Sequence, residues 1–254
     1  MSTILGVETM KALGNDGHTS SIGKAIRPAT VTIDPVQASR LVFLNEPTGL
    51  AVEQYKLLRR RLRMLHPEGG LIMITSPGPG EGKTLTSINL AWCLAQAGHN
   101  TCLVDLDFRA PGLAAAMGLS TDQGIEAVLN GKSTLLKGGL KVQDLPLQIY
   151  PVTQRLESPE KYFSPSVLGP FMNSVRAAFE WAILDLVPVV PMSDVAEVLP
   201  YVDGALMVVR AGTTSAALMK ASLETIGPKL RGAVLNDSAI KGSAYYSDYG
   251  RRNR

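Results

Sequence analysis

From residue 70 onward the apolar positions gather into short unbroken runs instead of alternating with polar ones. Leu71–Thr75, Thr101–Val104, Trp181–Leu184 and Ala205–Val209 are four such runs, and Gly232–Leu235 is a candidate fifth. Runs of this length, bounded by Gly, Pro and Asp, are what strands covered on both faces require. Between the first two, a helical stretch opens at Lys83-Thr84 and stops near Gly98, a residue suited to a helix C-terminus. Strand, helix, strand as the repeating unit predicts an α/β fold with a mostly parallel central sheet flanked by helices.

Upstream the pattern changes. Ala51, Tyr55, Leu58, Leu62 and Leu65 recur at steps of four and three, which predicts an amphipathic helix that also carries Lys56, Arg59, Arg60, Arg61 and Arg63. Residues 1–48 mix Gly, Ser, Thr and Pro without periodicity and read as a loose N-terminal arm, with Leu41–Leu44 its one ordered piece. The expected organisation is an arm over 1–48, one domain over 49–240 and a polar tail over 241–254. A chain of 254 residues, 45% hydrophobic, is large enough to bury a full core.

Charge and cysteine usage narrow the class. A formal net charge of +3 offers no general attraction to nucleic acid. Cys93 and Cys102 lie in apolar stretches without metal-ligand spacing to His18, His66 or His99, and read as reduced core residues of a cytoplasmic protein. The first twenty residues lack the pattern of a signal peptide, and no apolar run approaches the ~18 residues that cross a bilayer. Membrane association is therefore expected through a partner.

The chemistry begins where the first run ends. Ser76 to Thr84 reads SPGPGEGKT, a G-K-[ST] at a helix entrance, preceded by Gly78, Gly80 and Gly82. Free main-chain N–H groups and the helix dipole favour phosphate oxygens there, and glycines let the chain approach them. Lys83 is placed to reach the β and γ phosphates and Thr84 to ligate Mg²⁺, so this is a P-loop with deviant Walker motifs, Pro77 standing where the strict pattern has Gly. The second run continues TCLVDLDFRAP. Its D-x-D puts Asp105 and Asp107 on one side of the strand, at the sheet edge where open α/β sheets bind ligands. Carboxylates there hold Mg²⁺, accept a proton from a hydroxyl, or cap the following helix. The third run ends in Asp185, matching the acidic residue that holds Mg²⁺ in P-loop enzymes.

Taken in order, P-G-E-G-K-[ST] at Pro79 to Thr84, D-x-D-x-R-x-P at Asp105 to Pro111, the strand ending in Asp185, VDGALMVVRAG at Val202 to Gly212 and VLN at Val234 to Asn236 resemble the bacterial tyrosine kinases of capsule and exopolysaccharide systems. The resemblance runs from about Leu41 to the C-terminus. It implies ATP and Mg²⁺ as cofactors and autophosphorylation on tyrosine. It implies nucleotide contacts from Gly78, Pro79, Gly80, Glu81, Gly82, Lys83, Thr84, Leu85 and Asn236. Asp105 becomes the base for the tyrosine hydroxyl, Asp107 and Asp185 organise the metal with Thr84, and Arg109 falls near the phosphates. The family's E-x-x-R-x-x-R assembly helix corresponds to Glu53, Lys56 and Arg59, which implies a homo-oligomer; charge spacing alone fits a solvated basic face equally. Tyr245, Tyr246 and Tyr249 match the family's terminal tyrosine cluster, although a polar end without a role has the same composition. The resemblance also implies activation by a membrane-embedded polysaccharide co-polymerase that recruits the chain to the inner face of the membrane, while Arg251, Arg252 and Arg254 offer contacts to anionic lipid.

Three departures are visible: Pro77, Lys56 in place of arginine, and Asp185-Leu186-Val187-Pro188 in place of D-[ST]-P-P. Two other readings share the motifs. A ParA/MinD-type ATPase switch carries a signature lysine where this chain has Gly78, and a non-catalytic ATP-binding regulator of polysaccharide export keeps Lys83 and Thr84 without transferring phosphate.

Overall fold

The computed structural model of the protein describes residues 28–238. Eight strands form one sheet among these residues: β1 (Ala29–Val31), β2 (Gly70–Thr75), β3 (Thr101–Asp105), β4 (Leu140–Val142), β5 (Leu147–Tyr150), β6 (Trp181–Asp185), β7 (Gly204–Arg210) and β8 (Leu230–Asn236). Their order across the sheet is β1-β4-β5-β3-β6-β2-β7-β8, and every neighbouring pair is parallel except β4 with β5.

The unbroken apolar runs have a direct cause. Along β2, Leu71 and Met73 enter one core while Ile72 and Ile74 enter the other. Cys102 and Val104 against Leu103, Ala182 and Leu184 against Trp181 and Ile183, and Ala205 and Met207 against Leu206 and Val208 repeat the division on β3, β6 and β7. Both faces of the central strands are therefore dry, and period-two alternation carries no polar residue. One core is closed by the helix Pro165–Ala178, through Leu168, Phe171, Met172 and Val175. The other is closed by the helix Lys83–Gln96, with the helix Leu50–Leu65 outside it. Cys93 and Cys102 are free and buried, and burial holds both thiols above their usual range.

The N-terminal segment departs from the expected arm. Residues 1–27 and 239–254 lie outside the described residues, but β1 extends the sheet beside β4 and Ile33, Ala38, Leu41 and Phe43 are core residues. Asn89 fastens this segment: its Oδ1 accepts from the Val42 amide at 2.9 Å and its Nδ2 donates to the Arg40 carbonyl at 3.1 Å. The stretch from 28 to 48 thus packs with the domain expected to start at 49, because four apolar residues spaced irregularly are enough to dock a chain that has no periodicity of its own. Leu41–Leu44, the expected ordered piece, is a helical turn at Val42–Asn45.

Candidate functional site

The strand order places β3, β6 and β2 side by side, so their carboxyl ends meet. Asp105 and Asp185 are lateral partners in the β3–β6 register, and Asp185 faces Ile74 on β2. The chain leaves β2 through Thr75, whose hydroxyl donates to the Val187 carbonyl at 2.7 Å, and enters the glycine loop. Gly80 and Gly82 have φ of +76° and +95°, in the left-handed region that side chains resist. Gly82 is also the residue before the helix, and a Cβ there would lie 2.1 Å from Asn236 Nδ2.

The helix then projects its first residues over the strand ends. Lys83 Nζ donates to Asp107 Oδ2 at 2.6 Å, with Asp107 almost wholly buried. Ser87, one turn on, donates to Asp185 Oδ1 at 3.1 Å. The other Asp185 oxygen, Oδ2, is buried without a partner. Thr84 lies against the segment after β3, where a Cβ on Gly112 would stand 3.7 Å from the Thr84 hydroxyl. Asp105 Oδ1 accepts from the Asp107 amide at 2.9 Å, and its Oδ2 has a longer 3.4 Å contact from the Leu113 amide. Asp107 Oδ1 accepts from the Ala110 amide at 2.9 Å.

Three buried carboxylates share one ammonium, and the electrostatics follow. Burial pushes Asp105 well above the usual carboxylate range, and the charge of Asp185 adds to it. Burial raises Asp185 to about 6, with Lys83, Thr84 and Ser87 pulling the other way. For Lys83 burial opposes the charged form, but Asp185 and Asp107 outweigh it and raise its pKa. The cluster is short of positive charge. Among the described residues no three His, Cys, Asp or Glu side chains make a ready cation cage. Mg²⁺ needs none, since it takes one or two carboxylates and completes its shell with phosphate oxygens and water. The unpartnered Oδ2 of Asp185, a carboxyl whose proton affinity Thr84 also lowers, fits that requirement.

The remaining expected residues divide. Pro79 and Gly80 are exposed at the loop's tip, Leu85 is half-buried, and Gly78 packs against Leu218, whose Cδ2 would be 3.1 Å from a Cβ there. Asn236 reaches the loop: its Nδ2 donates to the Glu81 carbonyl at 2.9 Å. The Glu81 side chain points elsewhere, to Thr214 and the Arg210 amide. Arg109 does not join Lys83. Its guanidinium donates to Asp194 at 3.2 Å, to Glu160 at 3.0 Å and to the Glu157 carbonyl at 2.8 Å. Glu53 and Lys56 pair with each other at 2.7 Å, and Arg59 Nη1 donates to the Cys93 carbonyl at 2.9 Å inside the same chain. Tyr245, Tyr246 and Tyr249 lie outside the described residues. Ser87 and Thr214 were not anticipated. Ser87 was within reach of pattern reasoning, as the residue four after Lys83 on the same helix face.

Residues 72–252 match the CobQ/CobB/MinD/ParA nucleotide binding domain. The tyrosine-protein kinase YwqD of Bacillus subtilis (strain 168) is 30% identical over 219 residues, which cover 84% of this chain and 92% of that protein. The chain belongs to the bacterial tyrosine kinases. The succinoglycan biosynthesis transport protein ExoP of Rhizobium meliloti (strain 1021) is 33% identical over 225 residues, 85% of this chain but 28% of ExoP, a longer protein. The kinase domain of the Escherichia coli tyrosine kinase ETK superposes with a TM-score of 0.67 at 27% identity, covering 77% of this chain and 79% of that one. Among the described residues no helix is long and apolar enough to cross a membrane.

Proposed function

We propose that this chain is an ATP-dependent protein-tyrosine autokinase that regulates the synthesis or export of a polysaccharide. The observation that carries the reading is the meeting of Lys83, Asp105, Asp107 and Asp185 at three adjacent strand ends, beside a helix N-terminus built from left-handed glycines. Phosphoryl transfer depends mostly on positioning and on neutralising charge, and these groups supply both. The loop amides and Lys83 orient the triphosphate. Thr84, Asp107 and Asp185 would hold Mg²⁺, which would neutralise phosphate charge. Asp105 takes the proton of the incoming tyrosine hydroxyl, because its raised proton affinity suits a base and Oδ2 is its less engaged oxygen. Arg109, tied to Asp194 and Glu160, supports the segment after Asp107 from outside.

Gly78 favours the kinase over a partitioning-type switch. A Cβ at that position would stand 3.1 Å from Leu218 Cδ2, so a lysine there would need that side chain to yield by a few tenths of an ångström. The names of YwqD and ExoP favour transfer to tyrosine in a polysaccharide system. The tail tyrosines Tyr245, Tyr246 and Tyr249 are the proposed acceptors. The proposed activator is a membrane-embedded polysaccharide co-polymerase, which would bring the chain to the inner face of the membrane. Self-association through Glu53, Lys56 and Arg59 would first require Glu53 and Lys56 to part and Arg59 to exchange Cys93 for a neighbour.

Incubating the purified full chain with γ-labelled ATP and Mg²⁺, alone and with the activator's cytoplasmic segment, tests the reading. Label on tyrosine that vanishes on replacing Tyr245, Tyr246 and Tyr249 by Phe is the expected result. Phosphate release without protein label would establish a switch, and nucleotide binding with neither would establish a regulator.

A further inference from the structure

Glu81 sits in the middle of the phosphate cradle, yet a carboxylate aimed into a cradle would repel the phosphates it serves. The structure resolves this by turning the side chain outward and surrounding it with donors. Thr214 Oγ1 lies 2.8 Å from Oε1 and 2.7 Å from Oε2, so one hydroxyl bridges both oxygens. The main-chain amide of Arg210 donates to Oε2. The Glu81 carbonyl accepts from Asn236 Nδ2 at 2.9 Å. Residue 81 is thus held from the end of β7, from the turn before the helix Ala216–Ile226 and from the end of β8, and the carboxylate is 5% exposed. The same helix supports the loop's near side, where Leu218 abuts Gly78. Gly80 and Gly82, both left-handed, bracket Glu81 and let the main chain reverse on either side of it.

We infer that Glu81 is a positioning residue, not a nucleotide ligand, and that the Thr214 hydroxyl is the clamp through which it sets the conformation of the loop and hence nucleotide affinity. The inference rests on the nucleotide-binding reading of the loop and not on transfer to tyrosine. The Glu81 carboxylate can only accept, and both the Arg210 amide and the Thr214 hydroxyl are placed to donate to it. A charge-assisted hydrogen bond at a buried carboxylate is among the stronger polar contacts, and losing its donor leaves the carboxylate under-satisfied inside the loop. The Ser76 hydroxyl fixes the start of the loop by donating to the Gly78 carbonyl at 2.7 Å, but between the two left-handed glycines only the contacts of Glu81 hold the main chain in place.

The experiment measures Mg-ADP affinity by calorimetry, and apo melting temperature, on the full chain and on Thr214→Val, Thr214→Ser and Glu81→Gln. Thr214→Val keeps the shape and removes the hydroxyl, and is expected to weaken Mg-ADP binding about tenfold while the apo melting temperature stays within about 2 °C, since Thr214 sits in a half-exposed turn. Thr214→Ser restores the hydroxyl and is expected within about twofold of the parent. Glu81→Gln, which presents an N–H₂ where an acceptor is needed, is expected to match Thr214→Val. Unchanged affinity in Thr214→Val overturns the inference, and so does failure of Thr214→Ser to restore it. A loss confined to Glu81→Gln also overturns it, since Glu81 would then act on the nucleotide directly. A parent chain that binds no Mg-ADP overturns the reading of the loop itself, and the inference with it.

Discussion

Lys83 and Asp107 are joined across 2.6 Å at the mouth of the phosphate loop, and the lysine also interacts favourably with the charges of Asp185 and Asp105. Replacing Lys83 by Met therefore does more than remove a phosphate contact. It leaves buried carboxylates without their counter-charge, and urea unfolding is expected to show a loss of about 3 kcal/mol. The double replacement Lys83→Met with Asp107→Asn is expected to recover part of that loss, because it removes one of the stranded charges. Label transfer from ATP is expected to be lost in both.

The Asp185 carboxyl makes the chain's stability depend on pH in an unusual direction. Its pKa is raised from 3.8 to about 6 in the folded state, so between those values the folded chain holds a proton that the unfolded chain releases. Its contribution is largest below pH 4, falls as pH climbs to about 6, and is flat above. Asp105 moves in the same direction. In EDTA without nucleotide, Asp185→Asn is expected to gain stability relative to the parent between pH 4 and 6, by on the order of 3 kcal/mol. Parallel melting curves for the two proteins across that interval would refute it.

Magnesium should matter for the same reason. At Mg-ADP one hundred times above its dissociation constant, the chain is expected to gain about 2.7 kcal/mol, read as a rise in melting temperature that EDTA abolishes. Asp185→Asn is expected to lose the Mg²⁺-dependent part of that rise.

Gly82→Ala tests the loop's backbone. It adds a Cβ at a φ of +95° where Asn236 Nδ2 stands 2.1 Å away. A stability loss of about 1–3 kcal/mol and failure to bind Mg-ADP are expected. Adding Asn236→Ala relieves the clash but not the dihedral, so the double variant should recover stability only in part.

Arg109 gives the opposite outcome. Arg109→Ala leaves the buried Asp194 without its partner and is expected to cost about 1–3 kcal/mol in thermal unfolding, while Mg-ADP affinity stays within about twofold. A tenfold fall in affinity would return Arg109 to the phosphates.

The same contrast explains what could be read from residue order. β2, β3, β6 and β7 were legible because drying both faces leaves an unbroken apolar run, β8 by its short apolar stretch although alternate residues of this edge strand are exposed, and the helix Leu50–Leu65 because only one of its faces is dry. β1, β4 and β5 are three or four residues long, and Lys141 and Gln148 interrupt the latter two, so no period could emerge. Pro170 lies inside the helix Pro165–Ala178 and hides it. In the site, Lys83, Asp105, Asp107 and Asp185 were legible because each follows a strand or opens a helix. The outward turn of Glu81 was not, because Thr214 lies 133 residues away. Arg109 was drawn toward the phosphates by its motif, while the carboxylates that hold it are 51 and 85 residues distant.

Asn236 ties the last strand to the nucleotide loop, and this fixes the point from which the distance to the proposed acceptor tyrosines is counted. Tyr245 is seven positions beyond Ser238, and Tyr249 eleven. Fully extended, those spans reach roughly 25 Å and 40 Å. If those tyrosines are the acceptors proposed above, a receiving site must lie within that radius of the strand end, and the spacing between copies of the chain would set the local concentration of acceptor hydroxyls.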